Sequence, residues 1–327
     1  MARHDIVVLG ASAGGIEALK AVISALPRDL PAALFAVVHI GAHSENLLAQ
    51  SLARSTTLRV KTVESDEPIE RGLLLVARAD HHLLVRQDHV QITRGPRENL
   101  WRPSIDVLFR SAAVAHGPRV IGIILSGALD DGSVGVVAIK RCGGIAIAQE
   151  PNEALFPDMP AAAIRTGRID HVLPTREIGP MLARLVELPA DAATPIPDDL
   201  KLEADIGATG RSTRALQDKL GELSPYTCPE CGGPLWKQGG DVLHFRCLIG
   251  HGYTASALLD APGHDVDSTL WVAVRQFEQR GQLQYEMAEE QSAGGHAPRA
   301  AYYRQRAEEM QAHAQVLRTL LLKKVAS

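Results

Sequence analysis

The chain has 327 residues, 46% hydrophobic and 22% charged, the composition of a folded protein larger than one typical domain. Its net charge of −4 gives no overall electrostatic footprint for nucleic acid. No apolar run approaches the ~20 residues needed to cross a bilayer, the start lacks a signal-peptide core, and four cysteines do not make a disulfide framework, so a cytoplasmic protein is expected.

The first element is the apolar run from Ile6 to Gly10, which enters Ala11-Ser12-Ala13-Gly14-Gly15 and then a helix beginning near Ile16. A serine on a tight glycine-flanked turn between strand and helix is held out at the sheet edge, where helix N-terminal amides can face negative charge. That is how a hydrolase presents a nucleophile, and it is also how a loop cradles phosphate. The next strand, residues 34–40, closes on His39 and Ile40. Short apolar runs at 73–77, 83–85 and 90–92, with turns at Asp80 and Asp88, read as antiparallel hairpins at one edge. A helix over 104–116 follows Pro103, with Ile105, Leu108, Phe109 and Ala112 on one face. Strands at 120–125 and 145–148 complete the pattern, and Ser126 to Gly132 follows the first of them. The alternation predicts an α/β fold, doubly wound around a mostly parallel sheet, with an antiparallel hairpin edge.

Beyond this first domain, taken as residues 1–187, Pro189, Pro195 and Pro197 mark residues 188–224 as a linker. Residues 225–262 hold three of the four cysteines, and residues 263–327 read as a helical tail. In that tail Tyr303, Ala307, Met310, Ala314, Leu317 and Leu321 form a narrow heptad-like stripe, and Gly294, Gly295 and Pro298 break it into a helical hairpin.

Carboxyl ends of parallel strands open on one edge, where ligands bind. Ser12, His39 and the Asp130-Asp131 pair therefore converge there: a hydroxyl, an imidazole able to take its proton, and a carboxylate able to orient the imidazole. Singly, each has a plainer reading: a capping or phosphate-loop serine, a structural histidine, an Asp-Asp-Gly turn. Spacing does not separate Asp130 from Asp131. A dinucleotide site fits poorly, because Ser12 stands at the middle glycine of Gly-x-Gly-x-x-Gly and no acidic residue closes the second strand.

The stretch Val8 to Gly15 resembles the nucleophile motif of the chemotaxis receptor methylesterases, the CheB type. The resemblance continues through Val37-Val38-His39-Ile40, Arg102-Pro103-Ser104-Ile105-Asp106-Val107-Leu108-Phe109, the segment from Leu125 to Gly132, Ala148-Gln149-Glu150 and Met159-Pro160. It covers about residues 5–185 and implies that Ser12, His39 and Asp131 are the catalytic residues, with no cofactor for catalysis. It further implies hydrolysis of γ-glutamyl methyl esters on chemoreceptors, with glutamine deamidation as a companion activity. Family members commonly carry a receiver domain ahead of the catalytic one; this chain starts at the catalytic domain, so a separate response regulator is an expected partner. Ala128-Leu129 stands where Met-Gly is usual, and Phe156-Pro157-Asp158 precedes Met159-Pro160 where Tyr-Gly is more usual, which puts the shape of the substrate cleft in question. The competing reading is a non-catalytic binding module of a signalling complex that keeps the fold.

Cys228-Pro229-Glu230-Cys231 and, after fifteen residues, Cys247-Leu248-Ile249-Gly250-His251 supply four ligands at spacings that suit tetrahedral, structural zinc. Gly232-Gly233 permits the tight knuckle, and the alternative is a set of reduced, unliganded cysteines. Similar Cys-x2-Cys tails follow some stand-alone members of the resembled family. No dense Lys/Arg run flanks the segment, so protein contact is expected rather than nucleic acid, and no membrane insertion. Cys142 reads as a small buried apolar residue, His81-His82 as a hairpin turn, His43 as unpaired, and Arg304-Gln305-Arg306 and Lys323-Lys324 as solvated helix faces.

Overall fold

The structure, a computed structural model, describes residues 2–41, 47–192, 195–261 and 266–323, with side chains for all of these except 266–268 and 321–323. His43 and Lys324, and the side chain of Leu321, lie outside the described residues. Two compact units divide between Leu259 and Asp260.

The first unit begins with β1 (Ile6–Ala11), α1 (Gly15–Ser24), β2 (Ala33–Val38), α2 (Leu48–Ala53) and β3 (Arg59–Thr62). There follow β4 (Glu67–Pro68), β5 (Leu73–Val76), β6 (His82–Val85), β7 (His89–Thr93) and α3 (Ile105–His116). Then come β8 (Val120–Ile124), α4 (Ser133–Arg141), β9 (Ile145–Gln149), α5 (Asp158–Arg165), β10 (His171–Leu173) and α6 (Thr175–Leu185). Seven strands form one parallel sheet in the order β10-β9-β8-β1-β2-β5-β3. The chain winds outward from β1 in one direction, returns, and winds outward from β8 in the other, so the order reverses between β1 and β8.

Both faces are covered, which is why β1 and β2 are apolar without alternation. Ile6 and Val8 of β1 enter a core that includes Leu108, Phe109 and Val136, whereas Val7 and Leu9 enter the opposite core with Leu19, Val22 and Leu182. Residues 73–76 are not part of a hairpin: β5 lies in the parallel sheet between β2 and β3, fully buried, as its unbroken Leu-Leu-Leu-Val run requires. Only β6 and β7 form the hairpin, in a separate three-stranded antiparallel sheet with β4.

Residues 188–224, expected as a linker, carry α7 (Asp198–Thr209), α8 (Arg214–Leu220) and the start of β11 (Gly221–Thr227). Leu200 packs into the core beside α3, and Ala208 packs with Leu84 and Val107. A four-stranded antiparallel ribbon follows in the order β11, β12 (Pro234–Gln238), β13 (His244–Cys247), β14 (Gly252–Thr254), closed by α9 (Ala255–Asp260). Its core is small: Cys228, Leu235, Phe245, Cys247 and Tyr253.

The second unit is the expected hairpin, α10 (Val266–Ala293) and α11 (Ala297–Lys323), turned at Gly295 with φ of 77°. Ala307 and Ala314 of the stripe are buried, and Val274 of α10 packs on Ala314 and Leu317.

Candidate active site

The parallel register assembles the site. Ala11 of β1 pairs with Val38 of β2, so the residues that follow each strand, Ser12 and His39, emerge side by side. The backbone continues the ladder past the strands: His39 N–H donates to Ala11 O at 3.1 Å and Ser12 N–H to Ser126 O at 3.0 Å. Gly127 must be glycine, because a Cβ there would lie 2.8 Å from Ser12 Cβ and 2.3 Å from Met159 Sδ. Gly14 takes φ of 70° and starts α1, and the Ala13 and Gly14 N–H groups donate to no acceptor among the described residues. The turn therefore offers free amides beside the Ser12 hydroxyl.

Ser12 Oγ lies 3.1 Å from His39 Nδ1, and His39 Nε2 lies 2.8 Å from Asp131 Oδ2. The imidazole and the carboxylate are 1% and 2% exposed. One face of the imidazole is covered by Trp101, whose ring stacks at 4.4 Å with planes 6° apart.

Asp131 is held from every side. Oδ2 also accepts the Ile105 N–H at 2.7 Å, and Oδ1 accepts from Asn99 Nδ2 at 2.8 Å, Ser104 Oγ at 3.0 Å, Gly132 N at 3.1 Å and Asp106 N at 3.2 Å. Two of these donors are first-turn amides of α3, so the carboxylate caps that helix from outside and Ser104, at its N-cap, turns its hydroxyl to Asp131 instead. Burial alone would raise the Asp131 carboxyl, but hydrogen bonds from His39, Asn99 and Ile105, with the imidazole's charge, hold it below the usual carboxylate range. Asp106 shows the opposite result: burial and the Asp131 charge push it well above that range.

The structure separates the two aspartates that spacing left open. Asp131 faces His39, and Asp130 Oδ1 accepts Thr254 Oγ1–H at 2.6 Å. The switch is made at Leu129, whose φ of 61° is a conformation that glycine adopts without steric cost. This is the position where the resemblance expected glycine.

Asn99 and Trp101 escaped the sequence reading. They belong to a tight turn, Glu98 to Trp101, closed by Glu98 N–H to Trp101 O at 3.2 Å and Trp101 N–H to Glu98 O at 3.0 Å. Asn99 and Leu100 have φ of 51° and 70°, the doubly left-handed pattern of a type I′ turn without the usual glycine. His82 is buried, with Nε2 on Pro96 O at 2.9 Å and Nδ1 accepting Ser104 N–H, so it supports the start of α3. Cys142 is buried at the end of α4, as expected.

A family model described as CheB methylesterase matches residues 7–182, more than half of the chain. The chain belongs to the CheB methylesterase family. A Leptospira interrogans relative, provisionally named protein-glutamate methylesterase/protein-glutamine glutaminase, is 37% identical over 184 residues, 56% of this chain and 95% of the relative. An Anaeromyxobacter dehalogenans protein-glutamate methylesterase/protein-glutamine glutaminase is 39% identical over 184 residues, 55% of this chain and 51% of its own. The crystal structure of the Thermotoga maritima CheB methylesterase catalytic domain superposes with a TM-score of 0.54 at 31% identity, covering 56% of this chain and 98% of that one. The match thus ends before α7, and the ribbon and helical hairpin lie outside the matched residues.

The ribbon brings Cys228, Cys231, Cys247 and His251 together, their ligand atoms all within 4.8 Å of one another, a cluster that could hold a metal ion. Sγ of Cys231 and Cys247 are 3.7 Å apart, and His251 Nδ1 lies 3.6 Å from Cys228 Sγ and 3.5 Å from Cys247 Sγ. His251 Nε2 faces Glu230 Oε2 at 3.3 Å. Burial and the neighbouring Cys228 and Cys231 push the Cys247 thiol up to about 12. Among the described residues no helix is long and apolar enough to cross a membrane.

Proposed function

We propose that this protein is a serine hydrolase that removes methyl groups from γ-glutamyl methyl esters of a chemoreceptor or related signalling protein in the cytoplasm, with glutamine deamidation as a companion activity. The observation that carries this reading is the continuous hydrogen-bond path from Ser12 Oγ through the buried His39 ring to Asp131, inside a CheB methylesterase domain. His39 Nδ1 takes the Ser12 proton as Oγ attacks the ester carbonyl, while Asp131 fixes the ring proton on Nε2 and stabilises the imidazolium. The oxyanion settles against the free amides of Ala13 and Gly14; a donor of this kind is typically worth about 10²–10³ in kcat. Methanol leaves with the proton from His39, which then activates the water that releases the carboxylate.

The test is methanol release from methylated receptor by the wild type and by Ser12→Ala. Loss of release in the variant supports the reading, and equal release from both removes it in favour of a binding module.

Zinc is our reading of the Cys/His cluster. Tetrahedral ligands at zinc-sulfur and zinc-nitrogen bond lengths stand about 3.7 Å apart for sulfur pairs and about 3.5 Å for sulfur and nitrogen, which matches the Cys231–Cys247, Cys228–His251 and Cys247–His251 separations. Glu230 supplies the carboxylate partner that orients a ligating histidine. With all four positions filled by protein, the ion would be structural. Near-stoichiometric zinc in protein purified under reducing conditions, lowered in Cys231→Ser, is the expected result; a zinc-to-protein ratio near zero would refute it.

A further inference from the structure

The turn from Glu98 to Trp101 touches the candidate triad on one side and the ribbon on the other. Toward the triad, Asn99 Nδ2 donates to Asp131 Oδ1 and to Asp106 Oδ2, both at 2.8 Å, and Trp101 covers the His39 ring. Toward the ribbon, Asn99 N–H donates to Gly252 O and Asn99 Oδ1 accepts the Thr254 N–H, each at 2.8 Å. Glu98 Oε1 accepts Arg246 Nη1 at 2.8 Å, with both side chains buried, and Leu100 packs on the ribbon's own core.

These contacts are made by the immediate neighbours of the cluster residues. Arg246 precedes Cys247, and Gly252 follows His251. Cys247 N–H closes on His251 O at 3.0 Å, so the knuckle that bears two ligands also sets where Arg246 and Gly252 lie. A turn with two consecutive left-handed, non-glycine residues persists only where its surroundings over-determine it. Here the surroundings include the ribbon. The ribbon also reaches the residue before Asp131, through Thr254 Oγ1 to Asp130 Oδ1.

We propose that Asn99 is a positioning residue for Asp131, and that the metal-loaded ribbon holds Asn99 and Trp101 in place, so that metal occupancy of Cys228, Cys231, Cys247 and His251 governs turnover at Ser12. This rests on the esterase and metal readings above and adds a regulation to them. The ribbon lies beyond the residues that match the family domain, so the control belongs to this chain's added segment. Loss of the metal frees Gly252 and Arg246, the turn relaxes, and Asp131 loses the amide that fixes one of its oxygens. The His39 ring then loses its stacked cover, and its carboxylate partner keeps only the donors from Ser104, Ile105, Asp106 and Gly132, while Ser12 stays on its own turn.

The test uses the full chain loaded with zinc, the same protein stripped by a chelator under reducing conditions, and Asn99→Ala. Four quantities are read: kcat and KM for methyl ester hydrolysis, the downfield proton resonance of the His39–Asp131 hydrogen bond, and zinc affinity by competition with a chromophoric chelator. Stripping should lower kcat about tenfold or more with little change in KM, and remove the resonance; zinc restores both. Because Asn99 is bonded to Gly252 and Thr254 beside the ligands, Asn99→Ala should weaken zinc binding severalfold although it leaves all four ligands in place. Thr254→Val, which keeps the turn and the ligands and loses the bond to Asp130, should give a smaller shift of the same sign in both readouts. The proposal is overturned if the stripped protein keeps its resonance and kcat, or if Asn99→Ala binds zinc like the wild type. A protein that never releases methanol, yet shows the linked changes in resonance and affinity, would sink the esterase reading and leave the coupling standing.

Discussion

Asp131→Asn is the most discriminating change to the candidate triad, because the surrounding donors dictate how the amide must turn. Four donors point at Oδ1, from Asn99, Ser104, Asp106 and Gly132, and two at Oδ2, from His39 and Ile105. An asparagine keeps its carbonyl on the side with four donors and turns its NH2 toward His39 Nε2. The ring must then accept at Nε2 and carry its proton on Nδ1, the atom 3.1 Å from Ser12 Oγ, where a base is needed. Loss of the correct tautomer in a serine triad costs about 10⁴ in kcat, or about 5.5 kcal/mol. The fold should suffer less. Facing the NH2 toward the Ile105 N–H costs about 1–3 kcal/mol, and removing the Asp131 charge relieves Asp106, whose carboxyl burial and that charge hold well above its usual range. Single-turnover methanol release with urea unfolding, and nitrogen-15 shifts of the His39 ring, separate the two effects. A variant within about tenfold of wild-type kcat, or one that keeps its ring proton on Nε2, would refute the reasoning.

Trp101→Ala should lose the packing of a stacked aromatic pair, about 0.5–1.5 kcal/mol, seen as a two- to tenfold lower kcat that Trp101→Phe restores; steady-state kinetics check it. Glu98→Ala leaves Arg110 and Arg246 charged, buried and without their shared carboxylate, so urea unfolding should show a loss of about 3–5 kcal/mol. Burial alone would raise the Glu98 carboxyl, but the charges and hydrogen bonds of Arg110 and Arg246 hold it far below its ordinary value. Since the folded value lies below the unfolded one, this stabilisation is complete above about pH 4.3 and is lost as pH falls through the folded value. Glu98→Gln should therefore flatten the acid limb of stability against pH, measured by thermal unfolding between pH 3 and pH 6.

What the sequence revealed of the site and what it concealed divide along one physical line. Ser12 and His39 were legible because parallel strands deliver their carboxyl ends to a common edge, and the pairing of Ala11 with Val38 turns that topology into adjacency. The choice of Asp131 over Asp130 came from the resemblance and was not legible from spacing, because it depends on a left-handed Leu129 and on Thr254, which is 124 residues away from Asp130 in the chain. The helix α7 had a signal that composition masked: Leu200, Glu203, Ala204, Gly207 and Ala208 recur at helical spacing and are all buried. Glu203 and Gly207 look polar or flexible in a sequence, yet Glu203 faces the Arg110 side chain, and a Cβ on Gly207 would stand 3.1 Å from Arg110 Nη2. The four cluster residues were legible from spacing alone, since ligands must lie close along short knuckles. Asn99 and Trp101 had no such local signature. Their turn lacks glycine, and its geometry is enforced by contacts such as Glu98 to Arg246, 148 residues apart. Local rules see residues whose place is set by neighbours in the chain, and they miss residues placed by a distant segment of the same unit. Here those are Asn99, which donates to the Asp131 carboxylate, and Trp101, which stacks on the His39 ring.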